Sequence, residues 1–181
     1  MSKELVSIAA DNFNYSAFKL TNKDWLQITA TVDGKVNTMT ASWGGIGTMW
    51  NKSVAFIFIR PQRFTKTLID KSNYLTLQVL PESKRDLNRY FGKVSGANED
   101  KIKNSKVTLV SEGNYAYFEE SDLIIKCTKL FNQELNEQSF VDKSIIDTWY
   151  PKHDFHTMYV VQLNQILASR AWLEANSQVK A

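Results

Sequence analysis

Trp25-Leu26-Gln27-Ile28-Thr29-Ala30-Thr31-Val32-Asp33-Gly34 is the stretch whose reading decides the fold. Apolar and polar residues alternate over eight positions, the period of a strand and not of a helix. The run ends in Asp-Gly, a dipeptide that tolerates the positive φ angles of a two-residue hairpin turn. Val36 to Ser42 follows as the partner strand. Working outward, Val54-Ala55-Phe56-Ile57-Phe58-Ile59 is a continuous apolar run, expected as a strand buried on both faces. Tyr74 to Leu80, Leu123 to Phe131 and Met158 to Leu167 read as further strands.

Two helices are predicted between these strands. The first opens at Pro61, a residue suited to a first helical position, with Phe64, Leu68 and Ile69 on one face. The second covers about Glu82 to Phe91 and is expected to stop at Gly92. Gly92 to Ser105 reads as a polar loop with a short helical turn, Asn132 to Lys152 as mixed, and Ala168 to Ala181 as helical or frayed. Many strands and few helices imply a mainly β, antiparallel barrel with helices at its ends. A chain of 181 residues suits one domain, and no repeat or linker divides it.

Composition narrows the function classes. The formal charge of +3 is spread along the chain, so no basic stripe points to nucleic acid as a partner. The single cysteine, Cys127, excludes an internal disulfide framework and any multi-cysteine metal site. No apolar run approaches the roughly 18 residues of a membrane span. With no apolar leader pattern near Glu4, the expected setting is soluble and cytoplasmic.

Three segments could carry chemistry. In Ile59-Arg60-Pro61-Gln62-Arg63-Phe64-Thr65-Lys66 a buried strand hands over to a helix start. Its amides and dipole favour an anion, and arginine forks match phosphate oxygens. The alternative is a solvated helix start with surface ion pairs. Asn37-Thr38-Met39-Thr40-Ala41-Ser42-Trp43-Gly44-Gly45-Ile46-Gly47 reads as a strand entering a glycine-rich loop. Its hydroxyls and bare backbone could meet the edge of a planar ring, or the glycines could mark only a bulge. Gly92-Lys93-Val94-Ser95-Gly96, followed by Asp100-Lys101, could present amides to a ligand or be a plain turn. No Rossmann or P-loop spacing is present. His153 and His156 lie in Lys152-His153-Asp154-Phe155-His156. No metal site is expected there, since no fourth ligand is evident. A proton-handling or substrate-orienting histidine and a merely hydrogen-bonded one both remain open. Cys127 sits in an apolar strand pattern and reads as a small buried residue.

Taken together, these segments resemble the flavin reductase-like family of FMN-binding split barrels, which includes flavoredoxin-like proteins. The match rests on Asn37 to Gly44, Trp50-Asn51-Lys52, Arg60 to Thr65, Ser95-Gly96, Tyr117-Phe118-Glu119-Glu120, Tyr150-Pro151 and Asp154-Phe155-His156 before Met158-Tyr159. It covers about Ala17 to Leu167 in consistent order, the core of a single domain spanning 1–181.

The resemblance implies a six-stranded, Greek-key split β-barrel with a few flanking helices, working as a homodimer whose interface helps form two FMN sites. Arg60, Arg63 and Thr65 would hold the phosphate, with Gln62 and Phe64 in the same motif. Thr38, Met39, Thr40, Ala41, Ser42 and Trp43 would meet the ring, with Asn51 nearby. Ser95 and Gly96 would close over the ribityl and phosphate end, and His156 would lie near the ring or the nicotinamide. The implied activity is NAD(P)H-dependent flavin reduction, an oxidoreductase passing hydride to flavin N5 and electrons on to a protein or small-molecule acceptor. An FMN-binding electron carrier without nicotinamide activity is the alternative, and a flavinless interaction domain a third reading. Two departures from the family pattern bear on this. Ser95-Gly96 leads into Ala97-Asn98 where Arg-Asp is common, and Thr157 stands where an arginine often follows the histidine.

Overall fold

Ten strands and five α-helices build the chain in the computed structural model, which describes residues 3–180. In order these are β1 (Leu5–Ile8), β2 (Leu26–Val32), β3 (Lys35–Ala41), β4 (Gly44–Met49), β5 (Lys52–Ile59), α1 (Phe64–Lys71), β6 (Tyr74–Val79), α2 (Arg85–Lys93), α3 (Lys101–Ser105), β7 (Leu109–Glu112), β8 (Tyr115–Phe118), β9 (Leu123–Glu134), α4 (Ser144–Trp149), β10 (Thr157–Ser169) and α5 (Arg170–Ala175). The main sheet runs β3-β2-β6-β9-β10-β5-β4, with β1 added beside β10. Every pairing in it is antiparallel. β3 and β5 approach each other without sharing a ladder, which splits the barrel. Six strands thus curl round the core as expected, and β4 and β1 are additions to that count. No helix of the described residues is long and apolar enough to cross a membrane.

The β2–β3 hairpin forms where the sequence predicts it, with Asp33 at φ 50° and Gly34 at φ 77° in the turn. Leu26, Ile28 and Ala30 enter the barrel core with Met39, Leu77, Ile125 and Tyr159. The alternating polar residues are not on a wet face, however. Gln27, Thr29, Thr38, Thr76 and Gln78 are all fully buried. A second apolar cluster of Leu80, Phe91, Ile102 and Phe118, from α2, α3 and β8, belongs to the layer that covers them. Burial without water requires each polar group to find a partner. Gln78 donates to Thr29 Oγ1 at 2.8 Å and accepts from the Phe118 amide at 2.7 Å and the Ser121 hydroxyl at 2.9 Å.

Several expectations are corrected. The glycine-rich stretch Gly44–Gly47 is a strand, β4, because its backbone ladders onto β5 from Gly44↔Ile57 to Met49↔Lys52. β5 is not buried on both faces: Phe56 and Phe58 are only half-buried, while Val54, Ala55, Ile57 and Ile59 are buried. The helix after Pro61 begins at Phe64, since Arg63 stays extended at its N-cap. Gly92 lies inside α2, which ends at Lys93 with Val94 as its extended C-cap. The β7–β8 hairpin has no counterpart in the sequence pattern. Asn132–Glu134 belongs to β9.

Candidate functional site

Two neighbouring hollows open where β3, β5 and the start of α1 converge. The first, of about 280 Å³, is lined by Met39, Thr40, Ala41, Ser42, Trp43, Phe58, Arg60, Arg63, Trp149 and His156. The second, of about 210 Å³, is lined by Met39, Gln62, Arg63, Phe64, Thr65, Lys93, Val94, Ser95, Gly96 and Lys101. Met39 and Arg63 belong to both, so the two hollows form one elongated groove.

The second hollow is lined by Arg63, a half-buried cation, and Lys101, a buried one. Arg63 Nη1 donates to the Gly92 carbonyl at 2.5 Å, and Nη2 reaches the Phe91 carbonyl at 3.4 Å. Lys101, only 2% exposed, donates from Nζ to the carbonyls of Phe91 (3.1 Å) and Val94 (2.9 Å). Two cations therefore gather on the carbonyls at the end of α2, the negative end of its dipole. Neither forms an ion pair among the described residues. Burial, and Arg63 alongside it, push the Lys101 ammonium down to about 8; burial also lowers Arg63. A bound anion would relieve both costs. Gly96 closes the wall tightly: a Cβ there would stand 2.2 Å from Asn37 Oδ1 and 2.9 Å from the Phe64 ring. Asn37 in turn donates to Thr65 Oγ1 at 2.8 Å, fixing the first turn of α1.

The first hollow is flatter and aromatic. Trp43 meets Trp149 edge-on at 5.2 Å between centroids and lies 4.9 Å from the His156 ring. Both tryptophans stand on the rim, 39% and 50% exposed. Five consecutive residues, Met39 to Trp43, line this wall. Side chains on a strand alternate, so part of that wall must be main chain. The Thr40 hydroxyl turns inward to Gln27 Oε1 (3.0 Å) and the Asn88 carbonyl (2.6 Å).

His156 is buried, with Nδ1 2.8 Å from the Tyr150 hydroxyl. Burial first, then the nearby Arg60 charge, push its imidazole down to about 4, against the pull of Asp154. The ring is neutral at physiological pH. In the unfolded chain it takes up its proton near 6.5, in the folded one only near 4. As pH falls through that window, protonation favours the unfolded state. Each tenfold difference in proton affinity is worth roughly 1.4 kcal/mol, so the stability lost by pH 4 is about 2–3 kcal/mol. Urea unfolding from pH 7 to pH 4 should show this loss in the wild type. In His156→Asn the contribution is gone and the slope is correspondingly shallower; an unchanged slope would refute the assignment.

The groove therefore gathers most of the residues singled out in the sequence, with exceptions. Thr38 lines neither hollow: it is fully buried and bonded to Thr29 (2.9 Å) and the Ile28 carbonyl (3.3 Å). Asn51 sits exposed in the β4–β5 turn at φ 54° and lines neither hollow. Arg60 faces the aromatic hollow instead of the anion hollow, because Asp154 holds it at 2.5 Å. Phe58, Trp149, Lys93, Val94 and Lys101 join the walls without having been singled out as ligands. Lys93, Val94 and Lys101 had a signal only as part of the segment around Ser95-Gly96. His153 is exposed and lies 3.4 Å from Glu137. Among the described residues no three His, Cys, Asp or Glu side chains cluster as a metal site would need.

A family model described as flavin reductase like domain matches residues 25–165. No curated protein matches the chain significantly. Among solved structures, an FMN-binding domain of flavin reductases-like enzyme from Shewanella baltica superposes with a TM-score of 0.68 at 14% identity, covering 93% of this chain and 79% of that one. Flavoredoxin of Desulfovibrio vulgaris gives 0.65 at 16% identity, covering 88% and 75%. An NADH:FAD oxidoreductase from Streptomyces globisporus gives 0.61 at 13% identity, covering 82% and 76%.

Proposed function

Since this chain belongs to the flavin reductase-like domain family, we propose that it holds FMN along the joined hollows and reduces flavin with NADH or NADPH. The observation that carries this is the pair of cations, Arg63 and Lys101, held on carbonyls at one end of a groove whose other end is aromatic. A ligand with a phosphate at one end and a planar ring at the other meets both ends. The FMN-binding neighbours in the same fold support that ligand. When bound, FMN supplies the redox chemistry, accepting a hydride at ring N5.

The chain's own residues bind, orient and exclude water. Arg63 and Lys101 take the phosphate, with Thr65, Ser95 and Gly96 around it. Main chain from Met39 to Trp43 meets the ring edge, and amide donors there stabilise negative charge on it. Trp43 and Trp149 frame the entrance for a nicotinamide. His156, neutral and tied to Tyr150, orients the incoming ring.

A homodimer suits this reading. β4 ends the sheet with a free edge, and Trp50 and Phe131 stack edge-on nearby, both substantially exposed. Asn51 sits in that same hairpin turn, so a role for it at a ring depends on the second copy. A cytoplasmic setting, where reduced nicotinamides are available, and a protein or small-molecule electron acceptor complete the proposal. One observation favours an FMN-holding electron carrier instead: Asp154 occupies Arg60, and Thr157 adds no cation for a dinucleotide phosphate.

The test is a flavin titration followed by reduction under anaerobic conditions. Saturable quenching of FMN fluorescence at micromolar protein, then bleaching by NADH or NADPH faster than for free FMN, is the expected result. Bound flavin that is bleached only by dithionite would replace the reductase with the carrier. No saturable quenching would overturn both.

A further inference from the structure

The chain segment 149–156 supplies Trp149 and His156 to the wall of the aromatic hollow, and Tyr150, whose hydroxyl meets His156 Nδ1. Half of it is exposed, and α4, which leads into it, is a helix of only six residues. Tyr150 and Phe155 anchor it by packing with Ile146, and a polar contact from the end of β5 adds to that hold. Arg60, at the end of β5, reaches it in three ways. Its Nη1 pairs with Asp154 Oδ2 at 2.5 Å, and its Nη2 donates to the Trp149 carbonyl at 2.7 Å. Its guanidinium also lies 5.2 Å from the centre of the Tyr150 ring. Gln62 donates to the same Asp154 oxygen at 2.9 Å. One planar fork just past the end of β5 thus bridges Trp149 and Asp154, 89 and 94 residues away in sequence. Lysine could not make that bridge, having no fixed fork.

We propose that Arg60 and Asp154 are positioning residues, a latch that holds Trp149 and the Tyr150–His156 pair in place at the aromatic hollow, and that Arg60 does not bind the flavin phosphate. The latch is read from contacts within the chain. Only its consequence, correct placement of the rings against a bound flavin, rests on the function proposed above.

The experiment is proton NMR titration of the imidazoles in the wild type and in Asp154→Asn. The chain has two histidines, so the His156 signal is assigned by its absence in His156→Asn. The charged groups around His156 are Arg60 and Asp154, with Arg63 on the opposite wall. If the carboxylate acted on His156 by charge alone, its loss would lower the imidazole further, since Asp154 raises it. Release of the latch has the opposite sign: water reaches the ring, and its titration moves up by at least about one pH unit towards 6.5. Arg60→Lys, which keeps a cation and loses the fork, should reproduce the upward shift and serves if Asp154→Asn folds poorly. His156 titrating at or below its wild-type value in both variants overturns the latch. FMN titration separates the phosphate role: Asp154→Asn should bind FMN no more tightly than the wild type. Tighter binding by tenfold or more, from an Arg60 freed for phosphate, would also overturn it. Failure of the wild type to bind FMN would remove the proposed function and leave the imidazole shifts as the test of the latch.

Discussion

Replacing Arg63 by alanine should weaken FMN binding about a hundredfold, and replacing Lys101 by methionine about tenfold. Hydrogen bonds to charged groups contribute about 1.5–3 kcal/mol, and each 1.4 kcal/mol is a factor of ten in affinity. Arg63 carries the larger effect because it lines both hollows and its fork can meet two phosphate oxygens. Lys101 lines only the anion hollow, so riboflavin, which lacks the phosphate, should bind its methionine variant within about threefold of the wild type. The lysine also gives the affinity a pH dependence. With its ammonium lowered to about 8, it is cationic at neutral pH and loses its proton above that value. FMN binding should therefore weaken as pH rises from 7 to 9 in the wild type and stay flatter in Lys101→Met. Fluorescence titrations with both flavins check the set. Equal losses for FMN and riboflavin in Lys101→Met would show a collapsed groove and not a phosphate site.

Gly44→Ala should be the most destabilising small substitution in the sheet. Gly44 has φ 148°, a region that side-chain-bearing residues rarely enter, and a Cβ there would stand 2.3 Å from the Phe56 carbonyl oxygen. That oxygen belongs to the backbone of β5, which is held by β10 on its other side and cannot give way. Strain and clash together cost roughly 3 kcal/mol, or about 6–12 °C in Tm for a chain of this size. Gly45→Ala is the control, since its Cβ would meet nothing within 4 Å. Thermal unfolding of both variants decides the matter: equal Tm values would mean that β4 does not ladder onto β5 at Gly44.

The same glycines show where the sequence is readable and where it is not. The β2–β3 hairpin and the buried half of β5 announce themselves through local pattern: alternation, a turn dipeptide, an apolar run. β4 does not, because Gly44, Gly45 and Gly47 have no strand preference of their own, and its partner β5 imposes the extended backbone. β7 and β8 are four residues each, too short for a period to register. Of the residues lining the second hollow, Arg63 and Thr65 stand out in the sequence because a strand-to-helix junction with clustered donors is a local feature, and Ser95-Gly96 because a small-residue turn is. Lys101 is not, since nothing near it tells that its ammonium ends buried beneath α2. Arg60 reads differently from its local sequence and from the fold. Its neighbours in sequence suggest phosphate, and its partner, Asp154, is far away along the chain.

The inward hydroxyls of Thr38 and Thr40 have a consequence for how such a site can change over time. A wall offered as main chain is the same whatever residue carries it, so substitutions along β3 can accumulate while the ligand still meets the same amides and carbonyls. What the wall cannot absorb is a change of phase. Deleting one residue between Gly34 and Asn37 would turn Met39 out of the barrel and the threonines into it, and would move every amide facing the groove by one step. Inheritance at this edge runs through register more than through residue identity. Lineages could change the letters of β3 freely only at its outer end, where Lys35 is exposed, provided that its length is kept.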